Sequence, residues 1–145
     1  MQTSSNYKFF ISSDKLFSWD IPATWSEYED DEGTYAFFNT TSWTGNLRIT
    51  PIIFKTNNSV IDVISEEIAG NNITITVQIG DYKCAYFEKN LIQGNDDLLI
   101  YYWITGLNNY LFTCSFVIDK DQENSFENEN ELIVIENIIK SIKIN

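Results

Sequence analysis

Short apolar runs rich in Ile, Phe and Tyr alternate along the chain with Asn, Asp and Gly punctuation, the pattern of strands joined by turns. Eight strands are expected: Tyr7 to Ile11, Leu16 to Ile21, Thr34 to Asn39, Asn46 to Phe54, Ile73 to Ile79, Tyr82 to Lys89, Leu98 to Thr105 and Asn109 to Ile118. Gly80-Asp81 fits a tight turn between two of them, and Gly106-Leu107-Asn108 fits another. The clearest alternation sets Ile73, Ile75, Val77 and Ile79 against Thr74, Thr76 and Gln78, which predicts one buried face and one wet face. Two segments change to a helical period. Ser59-Val60-Ile61-Asp62 forms a capping-box start, with Ile61, Ile64 and Ile68 following at helical spacing before Gly70 ends the helix. Near the C-terminus Leu132, Ile135, Ile139 and Ile142 share a stripe, with acids at its start and Lys140 and Lys143 at its end. Four strands, a helix, four strands and a helix predict an α+β fold, a mostly antiparallel sheet with helices packed on its faces. Neither an internal repeat nor a linker divides the chain, so residues 1–145 are expected to form a single domain.

Composition narrows the chemistry. The 145 residues carry 21 Asp and Glu against 9 Lys and Arg, a formal charge of −12, and contain no His. Histidine acid–base catalysis, histidine metal ligation and histidine-dependent triads are therefore excluded. The acidity opposes binding to nucleic-acid backbones and to anionic membranes, so neither is expected as a partner. A hydrophobic content of 43% is nevertheless too high for a disordered chain. The N-terminal residues lack the pattern of a signal peptide, and the longest nearly apolar run, Leu98 to Leu107, is about half of a membrane helix. A cytoplasmic location is expected on these grounds. Cys84 and Cys114 fit no zinc spacing, and in a meander one strand would separate them by about 9–10 Å. They are expected as buried thiols, too far apart to bridge.

The acids are concentrated in two places. Glu27, Glu29, Asp30, Asp31 and Glu32 contribute −5, and Asp119 to Glu131 contributes a further −5. Both segments are expected as connecting loops, either simply solvated or forming a recognition surface for a basic protein partner. Asp119-Lys120-Asp121-Gln122-Glu123 begins like a calcium loop, but Asn124 stands where Gly is needed and Asn130 where a bidentate Glu is needed. No metal or other cofactor is expected. Asp20, Asp96 and Asp97 could in principle pair for hydrolysis, yet nothing places them in one cleft, and no nucleotide or nucleophile motif accompanies them.

Arg48 is the only arginine, and in its strand it shares a face with Thr50 and Ile52. It is expected to hold a carboxylate, with binding of an anionic ligand as the alternative. Trp19, Trp25 and Trp103 lie in or beside strands and are expected in the core. Trp43 sits in the polar tip Asn39 to Gly45, where an exposed aromatic ring would serve as a contact residue.

The run Phe17-Ser18-Trp19-Asp20-Ile21-Pro22-Ala23-Thr24-Trp25 resembles the opening of PsbP-like domains, and Ile135 to Ile144 resembles their terminal helix running into Lys-Ser-Ile-Lys. Gly45-Asn46-Leu47-Arg48-Ile49-Thr50-Pro51 adds a likeness to a bacterial family of unknown function within that group. The resemblance implies an α/β/α sandwich. It also implies a binding module, since members include a photosystem subunit, a Ran-binding import factor and bacterial domains linked to secretion or toxin immunity. No shared catalytic set accompanies it.

The expected function is thus a non-enzymatic bacterial protein-interaction module, with an immunity-type inhibitor as one form. Its contact residues would be Trp43, Glu29, Asp30, Asp31 and Glu32, with Arg48 a further candidate for binding. The alternative is a small-molecule-binding domain with a pocket between sheet and helix.

Overall fold

The structure, a computed structural model, describes residues 6–30, 33–42, 44–54, 62–66, 70 and 73–145, and at Asp30 the backbone alone. Its strands are β1 (Tyr7–Ile11), β2 (Phe17–Pro22), β3 (Trp25–Asp30), β4 (Thr34–Asn39), β5 (Gly45–Ile53), β6 (Ile75–Ile79), β7 (Tyr82–Gln93), β8 (Asp96–Leu107), β9 (Tyr110–Asp119) and β10 (Lys143–Ile144). Seven form one sheet in the order β3-β4-β5-β9-β8-β7-β6, and β1-β2-β10 form a smaller one. Every pairing is antiparallel. One long helix, α1 (Phe126–Lys140), follows β9 after a short 3-10 turn at Lys120–Gln122.

The meander from β6 to β9 turns where left-handed backbone is tolerated: Gly80 at φ 58°, Gly94 at φ 60° and Asn108 at φ 57°. Alternation then sorts the side chains. Cys84, Tyr101, Trp103, Phe112, Cys114, Phe116, Leu47 and Ile49 are buried in one core cluster with Ile135, Ile138 and Ile139 of α1 and with Phe17, Trp19 and Ile21 of β2. The small sheet packs by edge-on aromatic contacts, with Phe17 to Phe112 at 5.3 Å and Phe10 to Phe37 at 5.1 Å between centroids. Residues 62–66 are helical, and Ile64 packs with Ala85, Phe87, Ile104 and Leu111 in a second cluster. α1 crosses the sheet from Trp25 of β3 at its start to the Gly80 turn, where Lys140 lies, at its end.

The chain end is tied down. Lys143 and Ile144 pair with Ser18 and Phe17 of β2. The Asn145 amide donates to the Leu16 carbonyl at 2.7 Å, its side-chain amide to the Lys15 carbonyl at 3.2 Å, and the Ser18 hydroxyl to Asn145 Oδ1 at 3.3 Å.

Much of the expected arrangement is present: a sheet-dominated, mostly antiparallel α+β fold, Trp19, Trp25 and Trp103 in the core, and two free buried thiols with β8 between them. Several expectations need correction. The first acidic segment is not a loop up to Asp30 but strand β3, because its alternation of Trp25, Glu27 and Glu29 with Ser26 and Tyr28 suits an edge strand. The second acidic segment is loop only in part, since Ser125 caps α1 by accepting from the Asn128 amide and so starts the helix at Phe126. α1 ends at Lys140, with Ile142 onwards leading into β10 rather than continuing the helix. The isoleucine face of β6 is buried only at Ile79, because an edge strand has nothing beyond it to cover Ile73 and Ile75. The hairpin after β8 turns at Asn108-Asn109, one to two residues later than expected. The expected capping box of the first helix, Ser59 to Ile61, and also Ile68 lie outside the described residues.

Candidate binding site

The site begins with the register of α1. Its buried stripe is Asn128, Glu131, Ile135, Ile138 and Ile139, so the helix presents two polar residues and then three isoleucines to the sheet. Helical spacing therefore carries Glu131 inward at the same angle as Ile135 one turn later.

Asn128 is partly satisfied there. Its side-chain amide donates to the Tyr101 hydroxyl at 3.0 Å and to the Glu123 carbonyl at 3.2 Å, while its Oδ1 has no hydrogen-bond partner. Glu131 is only 3% exposed, and neither carboxylate oxygen has a partner among the described residues. Burial pushes its carboxyl up to about 7, with the Thr44 hydroxyl pulling the other way. Thr44 is itself buried, and its hydroxyl also lacks hydrogen-bond geometry to any partner among the described residues. Buried polar atoms in proteins are ordinarily paired, which sets Asn128, Glu131 and Thr44 apart from the apolar packing around α1.

A pocket of about 270 Å³ lies beside Glu131, whose carboxylate oxygens are themselves closed off from solvent. Trp25 from β3, Asn39 from β4 and Ser42 from the following turn form one wall, and Phe126, Glu127, Asn130 and Val134 of α1 form the other. Asn39 Oδ1 accepts from the backbone and hydroxyl of Thr41, at 3.0 and 2.9 Å, and so fixes the turn that brings Ser42 to the rim. Of the two acidic segments only the second lines the pocket, through Glu127 and Glu131; β3 contributes Trp25, and its acids Glu27 and Glu29 lie farther along the strand.

The sequence candidates are distributed unequally around this pocket. Glu29 lies exposed on β3, on the same side of the strand as Trp25 and Glu27, and Glu27 pairs with Lys8 of β1 at 3.7 Å. Asp30 ends that strand, and its side chain lies outside the description. Asp31, Glu32 and Trp43 also lie outside the described residues, although Ser42 at the rim and Thr44 beside Glu131 flank position 43. Arg48 is elsewhere. It is half-buried opposite Ser115 and Ala36, on the face of β5 away from Leu47 and Ile49, and lines a separate pocket with Asn46, Leu98 and Asp119. Asp96 and Asp97 are exposed at the β7–β8 hairpin and Asp20 is exposed on β2, so the three do not converge. The calcium-like run is interrupted by the 3-10 turn and by a Lys120–Glu123 ion pair at 2.8 Å. Among the described residues no group of three potential metal ligands comes together.

Glu131 and Thr44 are the residues that reading the sequence missed. Counting back four and seven positions from Ile135 reaches Glu131 and Asn128, so the helical stripe itself held the signal. Treating Glu131 as the end of an acidic loop obscured it.

The chain matches a family model described as Domain of unknown function (DUF3805) over residues 5–145. It is similar to a protein of Bacteroides thetaiotaomicron whose crystal structure superposes with a TM-score of 0.82 at 31% identity, covering 97% of this chain. This chain spans 49% of the length of that relative. The solution structure of cyanobacterial PsbP (CyanoP) from Synechocystis has the same fold at a TM-score of 0.56 and 8% identity, covering 99% of this chain and 95% of that one. No curated protein gives a significant match. No helix among the described residues is long and apolar enough to cross a membrane.

Proposed function

We propose that the chain, which belongs to the DUF3805 family with its PsbP-like fold, is a non-enzymatic bacterial interaction module that binds a basic protein partner where β3 and the start of α1 converge. One observation carries the reading: the acidic first turn of α1 meets the start of β3 at a pocket walled by Trp25, Phe126 and Val134, with Glu127 on it and the exposed acids Glu27 and Glu29 farther along β3. Like-signed exposed carboxylates beside such a pocket attract and orient a positively charged surface, whereas the aromatic walls give it something to bury. An immunity-type inhibitor of a basic toxin is one concrete form. On the same footing the fold reads as a thin α/β/α sandwich, with α1 on one face of the large sheet and the helical residues 62–66 on the other.

The test is affinity purification from the native host followed by salt titration of the recovered complex. A basic partner should dissociate progressively with ionic strength, and Glu29→Lys combined with Glu127→Lys should weaken it about tenfold or more. A complex indifferent to both salt and charge reversal would overturn the reading. The pocket volume favours a second reading, a small molecule held against Trp25 and Phe126. In that case the ligand would quench tryptophan fluorescence with little dependence on the Glu29 substitution.

A further inference from the structure

We propose that the edge of β6 is a self-association surface, on which a second copy of this chain adds its own β6 antiparallel about a two-fold axis. The surface is separate from the pocket at the start of α1 and takes a different partner.

The two edges of the large sheet are built differently. β3 ends it on one side and carries Glu27 and Glu29, both exposed. β6 ends it on the other and pairs only with β7 among the described residues. From Ile73 to Ile79 the sequence Ile-Thr-Ile-Thr-Val-Gln-Ile has neither a charged residue nor a proline, and every residue but Gln78 is β-branched. Such an edge is a template for another strand, and proteins that stay apart guard against it with charge, proline or a bulge.

The burial along β6 indicates what the template takes. Ile79 is buried where the strand meets the last turn of α1, with the Lys140 stem against Gly80, whereas Ile75 is 55% exposed at the other end. A hollow of about 410 Å³ lined by Ile75, Tyr86 and Leu99 continues that bare surface. Antiparallel pairing centred on Val77 sets Ile75 of one copy opposite Ile79 of the other, so each bare end lies beside a covered one. Alternation is preserved across the axis, with Ile75, Val77 and Ile79 of both copies on one face and Thr76 and Gln78 on the other.

Charge favours the same occupant. A second copy also carries −12, so it can approach only where the acid is thin. The acids of β3 lie six strand spacings away, about 29 Å. Around β6 the signs are mixed, with Asp81 and Glu88 against Lys83 and Lys140.

Sedimentation velocity over about a hundredfold range of protein concentration tests the surface. The wild type should pass from monomer to dimer, and added salt should tighten the dimer by screening the repulsion between two acidic chains. Thr76 is exposed, so a charge there spares the core. Thr76→Lys and Thr76→Glu should each weaken the dimer about tenfold or more, since in a two-fold pairing either charge meets its own copy. A simple change in net charge would move the equilibrium in opposite directions for the two variants. Hydrogen exchange adds a local readout: the amides of β6 should slow as concentration rises, while those of β1 keep their rates. Phe9→Glu on β1, where Tyr7, Phe9 and Ile11 form another exposed apolar stripe, should leave the dimer intact. A chain that stays monomeric throughout, a dimer indifferent to both Thr76 substitutions or shifted oppositely by them, or one that salt or Phe9→Glu dissociates overturns the proposal.

Discussion

Glu131 sets the energetics of its neighbourhood through the cost of holding a charge away from water. Its carboxyl rises from an ordinary 4.5 in the unfolded chain to about 7 in the folded one, so the folded state binds the extra proton between those values. Its contribution to stability is accordingly full below pH 4.5 and is lost as pH rises through 7. Glu131→Gln removes that titration. The variant should gain on the wild type between pH 4.5 and 7 by up to about 3 kcal/mol, then hold a constant advantage at higher pH. Urea denaturation at several pH values measures the difference, and a gap independent of pH would show that the carboxyl is not the source. The same desolvation acts on the neutral core: it raises the Cys84 thiol to about 11 and the Cys114 thiol well above its usual range, so both are poor nucleophiles. That these thiols stand too far apart to bridge was readable, because their spacing within a meander is set by strand geometry. Burial of Glu131 was not, because acidic residues are rarely carried inside and composition alone suggested solvent.

Elements were most legible where one face had a clear partner. β7, β8 and β9 each have a strand on both sides, and their apolar alternation translates directly into burial. Edges behave differently. β6 places Ile75, Val77 and Ile79 at every second residue, but it has a neighbour only in β7, and Ile75 stays in water. β3 escaped notice for the opposite reason, since its exposed positions are so acidic that its strand alternation was masked. Glu27 and Glu29 also protect that edge against pairing with another chain. Within the sheet, Gly45 marks a close approach of β5 to β9: a Cβ there would collide with the Val117 carbonyl oxygen and with the Ile118 side chain. Gly45→Ala should therefore lower the unfolding free energy by about 2–4 kcal/mol, read by chemical denaturation. A change below about 0.5 kcal/mol would mean that the strands separate there at little cost.

Across the whole molecule, the charge of −12 is better understood as placed than as total. The start of α1 brings Glu127 and Glu131 to the small pocket and lies towards β3, whose Glu27 and Glu29 are exposed, while Lys140 ends the helix at its opposite end and Lys143 follows in β10. That polarity arises because α1 crosses the sheet with its acidic first turn towards β3, a direction that the helix dipole also favours. The sequence pattern supplied the acid and the helix separately. It could not supply their meeting point, which depends on where the helix crosses the sheet.

The pairing of β10 with β2 has a consequence for the order in which the chain can assemble. The Ser18–Asn145 hydrogen bond spans 127 residues, so closing it from an open chain carries one of the largest loop entropies available to this fold. The meander β7–β8–β9 needs only tight turns and can form first, with α1 docking afterwards to deliver the C-terminal residues to β2. The small sheet is then the last piece to assemble and the first to open. Native-state hydrogen exchange should find the amides of β1 and β2 opening at lower free energy than those of β8 and β9. Equal protection across both sheets would instead make the entire chain one cooperative unit, with its two ends joining at the same step as its centre.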